Sequence, residues 1–467
     1  MLYIPLDKSA RRTYTKQIYY AIREKILAGE LHAGEALPPY RELSQDLAVS
    51  KNTVLSAYDM LVAEGMLRSV AGSGFYVAAG VRRLPPPVLA PPPQSAALTD
   101  LIIPDGTINF DNGCPALELF PRAKWSRALS AAMAEASAAA LGYDLPQGRP
   151  ELRLALCEYL RRTQGLSCSP EQILITSGAK QGIALAAQCL LSAAGEVWIE
   201  DPAPALLRQM LQCRTERIVP LPVDAHGLNP ARFPAGRKPA LIICSPARQF
   251  PTGAIMPMTR RMELVAFAKR TGAYLLEDNF ESEFNYDAPP TSSLFELAPE
   301  CVLSVGTFSK VLFPSVRLGY IVAPRQLVAS LCAQKRLSDH HTNSLDQLAL
   351  AAFLRDGELE RHTRRMKKEY RARRDCLTDC LRAQFGRMVH ISGGAAGMNL
   401  VAAFDGVDCT DALVRRMLQQ GVYAVPVEQQ AAVKGLHQNE LILRYSGLTR
   451  AELALGAARL KAAIAPD

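Results

Sequence analysis

Residues 84–93 read LPPPVLAPPP, and this run limits what the chain can fold into more than any other. Proline fixes φ and has no amide hydrogen, so the run can neither continue a helix nor supply donors to a sheet ladder. An extended, semi-rigid polyproline spacer is expected there. The 467 residues of the chain are too many for one ordinary core, which stops growing near roughly 250–300 residues. The proline run therefore marks a seam between a small N-terminal piece and a large C-terminal one.

The small piece carries three helix patterns. Ile18, Ala21, Ile22 and Ile26 predict a helix over 14–28 that stops at Gly29, a left-handed cap. A second helix is expected after Pro38-Pro39, with Leu43 and Leu47 on one face. A third opens at Ser50, a good N-cap, and spaces Val54, Ala57, Tyr58 and Leu61 for burial. LRSVAGSGFYV then reads as two short strands around Gly72-Ser73-Gly74. Three helices and a hairpin make a winged helix-turn-helix. A recognition helix needs short polar and basic side chains at its N-terminal end, where they reach base edges and phosphates. Ser50, Lys51, Asn52 and Thr53 meet that need, Arg41 opens the preceding helix, and Ser73 and Gly74 stand at the wing tip. For Ser50 alone, simple capping explains the residue equally well. Residues 37–77 as a whole resemble the GntR-type winged helix almost position for position.

After the seam, helix and strand patterns alternate, which predicts an α/β domain with a mainly parallel sheet. VLSVGTFSKVLFPSVRLGY, residues 302–320, sets Lys310 after Thr307 and Ser309 and seven residues before Arg317. A lysine amine can bond an aldehyde, while hydroxyls and an arginine beside it can hold a phosphate. Pyridoxal 5′-phosphate (PLP) has both groups. Upstream, ILITSGAKQG gives a strand, then Ser177-Gly178-Ala179, then a helix whose first amides form an anion site. AYLLEDNFESEF, residues 273–284, is a buried strand ending in Glu277-Asp278, where a carboxylate can pair with a protonated pyridine nitrogen, or merely cap a helix. ELILRYSGL puts Arg444 on a short apolar strand, where a bidentate carboxylate would account for it.

In this order the segments resemble a fold-type I aminotransferase. With the winged helix in front, the chain resembles a MocR-type regulator of the GabR subgroup of the GntR family, a likeness that extends through SPARQFPTGAIMP (245–257) and LERHTRRMKKEYRARRDCL (359–377). The resemblance implies a winged helix-turn-helix domain over 1–80, a Pro-rich linker over 81–107, an aminotransferase-like PLP-binding large domain over 108–334 and a smaller C-terminal lobe over 335–467. It implies that Lys310 carries the internal aldimine, that Asp278 holds the pyridine nitrogen, and that Arg317, Ser177, Gly178, Ala179, Thr307 and Ser309 surround the phosphate. Arg444 would take the carboxylate of an amino-compound effector that forms an external aldimine. It further implies a homodimer on double-stranded operator DNA.

The chain departs from the family pattern at three places. Where EDDYD is usual it has Glu277-Asp278-Asn279-Phe280-Glu281, so Phe280 replaces the phenol expected to bond the cofactor's O3′. DPGYPG becomes Asp201-Pro202-Ala203-Pro204-Ala205-Leu206, putting Pro204 where an aromatic would stack, and the histidine of SHQFPTG is Arg248. Sensing is therefore expected rather than turnover, with no residue assigned a catalytic role. A working aminotransferase with a regulatory head, and a DNA-binding protein with a cofactor-free scaffold, are the alternatives.

Bulk properties narrow the classes further. Hydrophobic residues make up 49% and charged residues 21%, a globular composition. A net charge of +8 permits nucleic-acid binding without requiring it. The eleven cysteines include no CxxC pair, so neither a disulfide framework nor a metal site is expected, and Cys376 and Cys380 read as buried free thiols. The polar start and the lack of an 18-residue apolar window lead us to expect no signal peptide, no membrane span and a cytoplasmic, nucleoid-associated bacterial protein.

Overall fold

The computed structural model describes residues 2–10, 12–81, 103–111, 113–286 and 292–464. The proline run and most of the expected linker lie outside the described residues. Two compact units are present, Met1–Asp100 and Leu101–Asp467.

The first unit contains α1 (Tyr14–Ala28), α2 (Tyr40–Asp46), α3 (Lys51–Ala63), β1 (Leu67–Val70) and β2 (Gly74–Val77). Ile18, Ile22 and Ile26 of α1 are buried with Val54, Ala57, Tyr58 and Leu61 of α3, as the helical spacing requires. Leu43 joins this core, whereas Leu47, just past the end of α2, is only partly buried against it. α1 stops at Gly29 in the left-handed conformation, with φ of 78°. β1 and β2 pair antiparallel from Leu67↔Val77 to Val70↔Gly74. Tyr58 fixes α3 against both neighbours: its hydroxyl donates to the Pro38 carbonyl at 2.9 Å and its ring meets Phe75 edge-on at 5.0 Å.

The second unit is built on an eight-stranded sheet, ordered Ile173–Thr176, Gly319–Val322, Val302–Thr307, Tyr274–Asp278, Leu241–Cys244, Val197–Asp201, Ile218–Asp224 and Gly227–Leu228. The middle strands pair parallel. Gly319–Val322 runs antiparallel to both its neighbours, and Gly227–Leu228 adds an antiparallel edge. Several strands are buried along their whole length, as expected for a sheet covered on both faces. The register Thr176↔Gly319↔Thr307 brings three strand ends together, and Asp278 lies beside Val305 one strand further on. The chain segments that leave these ends form the candidate site.

Toward the C-terminus, an antiparallel sheet ordered Val389–Ser392, Asn399–Phe404, Glu440–Arg444 and Val425–Pro426 accompanies helices Glu358–Phe385 and Arg450–Ile464, which pack on each other. The entry strand Ile108–Asn109 pairs parallel with Val422–Tyr423, and Arg444 N donates to the Phe110 carbonyl at 2.9 Å.

A buried ion pair on two loops that leave the large sheet holds the smaller sheet through further hydrogen bonds. Arg248 Nη1 lies 3.2 Å from Glu281 Oε2, with both side chains almost wholly excluded from water. Arg248 also donates to the Ala396 carbonyl at 2.8 Å and to the Asn399 carbonyl and Oδ1 at 3.0 and 2.8 Å, while Glu281 accepts Met398 N at 3.0 Å. Removing one partner of such a pair strands the other charge, at a cost of about 3–5 kcal/mol. Glu281→Gln is therefore expected to lower the stability of the second unit by that amount in urea titration, and a loss below about 1 kcal/mol would contradict this role.

Candidate cofactor site and nucleic-acid interface

Lys310 lies just beyond strand Val302–Thr307, and its Nζ donates to the Gly113 carbonyl at 2.6 Å. Burial lowers its pKa, opposed by Glu281 and reinforced by Arg444. More of the amine is thereby neutral, the form that attacks a carbonyl.

Asp278 ends the neighbouring strand. Its Oδ1 is buried and has no hydrogen-bond partner among the described residues. Burial, helped by Glu281, raises its pKa from 3.8 to about 7. An unsatisfied buried acceptor of this kind costs free energy until a donor arrives, and a protonated ring nitrogen is such a donor.

At the end of strand Ile173–Thr176, Ser177 and Gly178 precede helix Ala179–Leu190. Gly178, with φ of 105°, packs directly on the Arg317 guanidinium, since a Cβ there would stand 3.4 Å from Nη1 and Nη2. Arg317 is itself left-handed, with φ of 47°, a conformation that costs a non-glycine residue energy and here turns the chain after the Pro314–Val316 turn. Thr307 Oγ1 accepts Ser309 N at 3.2 Å. A helix N-terminus, an exposed guanidinium and two hydroxyls suit a phosphate.

A cluster that sequence reasoning missed adjoins this end. Asp339 accepts from Ser177 Oγ at 3.3 Å, from Gln181 Nε2 at 2.7 Å and from Lys335 Nζ at 2.9 and 3.0 Å. Ser177 N donates to Gln181 Oε1 at 2.7 Å. Lys335 is fully buried and neutralises the carboxylate. Only Gln181, one turn into the SGA helix, carried a signal in the motif; Lys335 and Asp339 arrive from the distant helix Arg325–Ser338 and the residue after it.

Arg444 ends strand Glu440–Arg444 with its Nε 3.6 Å from Asp111 Oδ1 and its guanidinium carbon 5.0 Å above the Phe250 ring. Phe250 in turn meets Phe280 at 6.4 Å. A Cβ on Gly113 would stand 3.1 Å from Lys310 Nζ and 3.6 Å from Arg444 Nη1. Amine and guanidinium thus lie against the same glycine. Asp111 and Gly113 were also missed, although the Asn-Gly dipeptide in FDNGCP was a usable sequence signal for the glycine. Pro204 caps helix Ala205–Gln212, and Phe280 is half-buried.

In the first unit, Ser50 Oγ accepts Thr53 N at 3.2 Å and pairs with Thr53 Oγ1 at 2.8 Å, so both hydroxyls serve the cap. Lys51, Asn52 and Arg41 are exposed. At the wing, Ser73 Oγ bonds the Tyr76 hydroxyl at 2.5 Å, and Arg68 lies 5.5 Å over the Tyr76 ring. Arg68, exposed on β1 beside inward-facing Leu67, adds a cation that strand alternation alone points to.

A three-helix head with a wing, and a body with a lysine, an unsatisfied carboxylate and an anion cradle at the strand ends, define a DNA-binding head on an aminotransferase-type domain. Comparison with known proteins agrees. The model for aminotransferase class I and II matches residues 107–460, and that for bacterial regulatory proteins of the gntR family matches residues 14–77. The chain is 33% identical to the probable rhizopine catabolism regulatory protein MocR of Rhizobium meliloti, over 98% of this chain and 95% of that protein. It is 32% identical to the HTH-type pyridoxine biosynthesis transcriptional regulator PdxR of Corynebacterium glutamicum, over 81% of each. The α-aminoadipate aminotransferase of Thermus thermophilus, solved with N-(5′-phosphopyridoxyl)-L-leucine, matches with a TM-score of 0.71 at 28% identity, covering 77% of this chain and 92% of that one. The chain belongs to the MocR-type regulators of the GntR family, whose aminotransferase-like domain takes pyridoxal 5′-phosphate. The unpartnered Asp278 oxygen and the Gly178–Arg317 cradle fit that group. Among the described residues, no helix is long and apolar enough to cross a membrane.

Asp278 makes the cofactor-free protein pH-sensitive. An acid whose pKa rises on folding keeps a proton that the unfolded chain has already lost, so its contribution to stability falls as pH climbs from about 4 to about 7. Glu283, also raised to about 7, and Glu200, raised to about 8, add to the same slope. Asp278→Asn is expected to make the urea midpoint fall less steeply over that window, by an amount on the order of a few kcal/mol. An unchanged slope would show that Asp278 ionises freely.

Proposed function

We propose that this protein is a PLP-dependent transcription regulator whose head binds operator DNA and whose body senses PLP and an amino-compound effector. The observation that carries the reading is the meeting of Lys310 and Arg444 over Gly113. When bound, pyridoxal phosphate supplies an aldehyde that bonds amines and a ring that withdraws electrons. Lys310 provides the protein's own amine for that aldehyde. Asp278 accepts the ring nitrogen's proton in a hydrogen bond, and Arg317, Ser177, Gly178, Ala179, Thr307 and Ser309 receive the phosphate. An effector amine competes with Lys310, while Arg444 takes the effector's carboxylate.

Sensing is favoured over sustained turnover by what Phe280 and Pro204 omit. A missing hydrogen bond to a charged group costs about 1.5–3 kcal/mol, and a missing stacking ring about 1 kcal/mol. The cofactor is then held chiefly by Lys310 and the phosphate end. The retained Lys310, Asp278 and Arg444 favour a second reading, a working aminotransferase. A relative of this kind is the 2-aminoadipate transaminase of Thermus thermophilus, 29% identical over 77% of this chain.

In the regulator, two bodies pair as a homodimer in the cytoplasm, and the two heads address a two-part operator. The effector acts by binding one arrangement of the dimer better than another. Lys51, Asn52, Ser50 and Thr53 enter the groove, Arg41 reaches the DNA backbone or a guanine, and Ser73 and Gly74 approach the minor groove.

Two experiments test this. Borohydride reduction of the yellow protein is expected to leave the cofactor's mass on Lys310, and mass on another lysine alone would reject the assignment. Steady transamination at about 1 per second or faster would establish the enzyme reading instead. Lys51→Ala combined with Arg41→Ala is expected to weaken operator binding and flatten its salt dependence, and unchanged binding at fixed salt would overturn those contacts.

A further inference from the structure

The eleven cysteines are all free, and one pair stands apart. Cys157 Sγ and Cys168 Sγ lie 3.6 Å apart, eleven positions along the chain. Cys157 sits on helix Pro150–Gln164, and Cys168 in the loop that follows the left-handed cap Gly165 and leads into strand Ile173–Thr176. Both are half-buried, so a small oxidant can reach them. By contrast, Cys244 and Cys409 are buried. Cys376 and Cys380, half-buried rather than buried as expected from the sequence, share one rigid helix whose parallel Cα–Cβ vectors oppose closure.

We propose that Cys157 and Cys168 form a redox-active dithiol that hydroperoxides oxidise to an intramolecular disulfide, a modification site outside the residues assigned to the cofactor. The surroundings divide the two roles. The two thiols share one hydrogen bond, and Arg153, one turn before Cys157, adds positive charge on that side, so the Cys157 thiol ionises below its usual range despite burial and nearby Glu171 and Glu158. The same hydrogen bond and burial push Cys168 up. Thiolate is the nucleophile, so Cys157 attacks and Cys168 resolves.

The steps balance. The Cys157 thiolate displaces hydroxide from the peroxide O–O bond and becomes a sulfenic acid. The Cys168 thiol, losing its proton, attacks the Cys157 sulfur and expels the sulfenic oxygen as water. Two thiols lose two electrons in all, and hydrogen peroxide is reduced to two waters. Closure brings the sulfurs from 3.6 Å to about 2.05 Å, a movement that the loop carrying Cys168 can supply while the helix stays in place.

The test uses the full chain and hydrogen peroxide added in stoichiometric steps, followed by thiol blocking and non-reducing peptide mapping. The expected first product is a peptide linked through Cys157 and Cys168, with two of the eleven thiols lost and restored by dithiothreitol. Cys168→Ser should instead leave a sulfenic acid on Cys157 that dimedone traps. Cys157→Ser should slow loss of the Cys168 thiol at least tenfold, to the rate of the exposed Cys213. A first linkage at Cys376 and Cys380 or any other pair would overturn the proposal, as would a Cys157 that reacts no faster than Cys213. Mapping of the unaltered chain decides the question even if a variant fails to fold.

Discussion

Lys310 and Arg444 bring two positive charges against the same glycine in a half-buried place, and the site has to make that tolerable. Like charges at short range in a low dielectric repel strongly. Burial relieves part of the repulsion by favouring a neutral Lys310, and Asp111 stands 3.6 Å from Arg444 as a partial counter-charge. That distance is too long for a hydrogen bond, and Arg444 Nε is left without one. The site is thus short of one well-placed anion at Arg444 and one donor at Asp278. A carboxylate-bearing amine and a protonated pyridine would supply them, as the proposed function requires.

The scaffold meets this demand through register. A single antiparallel strand, Gly319–Val322, inserted between Ile173–Thr176 and Val302–Thr307, sets the Ser177 turn, Arg317 and the Lys310 loop at one edge. Arg444 comes from the other sheet, so its position depends on how the two sheets are joined. Arg248 and Glu281, paired on loops of the large sheet, make that join through their bonds to Ala396, Asn399 and Met398. Both residues depart from the family pattern read in the sequence, one from histidine and one from aspartate, and in space each is the other's partner.

The local parts of this arrangement were legible in the sequence. The helices of the head follow from the spacing of Ile18, Ile22, Ile26, Val54 and Leu61, because burial of one helical stripe imposes that period. Ser50 reads as a cap because its neighbours begin a helix, and the structure gives it that bond. Lys310, Asp278 and the Ser177 turn read from strand-to-loop motifs, since each lies within a few residues of its own structural signal. Contacts between segments far apart in the chain were not legible. Asp339 reaches Ser177 from 162 residues away and Lys335 reaches Gln181 from 154, and Asp111 meets Arg444 across most of the second unit. No local spacing encodes such meetings, and Arg248 alone looked like a loss because Glu281 was not yet beside it.

The central claim is that one site reads an amino compound and that this reading reaches the head. The most direct measurement titrates the full-length protein, loaded with cofactor and labelled operator, with candidate amino acids while cofactor absorbance and operator affinity are recorded together at fixed salt. The account predicts one compound that shifts both signals with the same midpoint, and loss of both shifts in Arg444→Ala with the cofactor retained. A compound that shifts the absorbance fully while operator affinity stays constant, in the native chain, would contradict it.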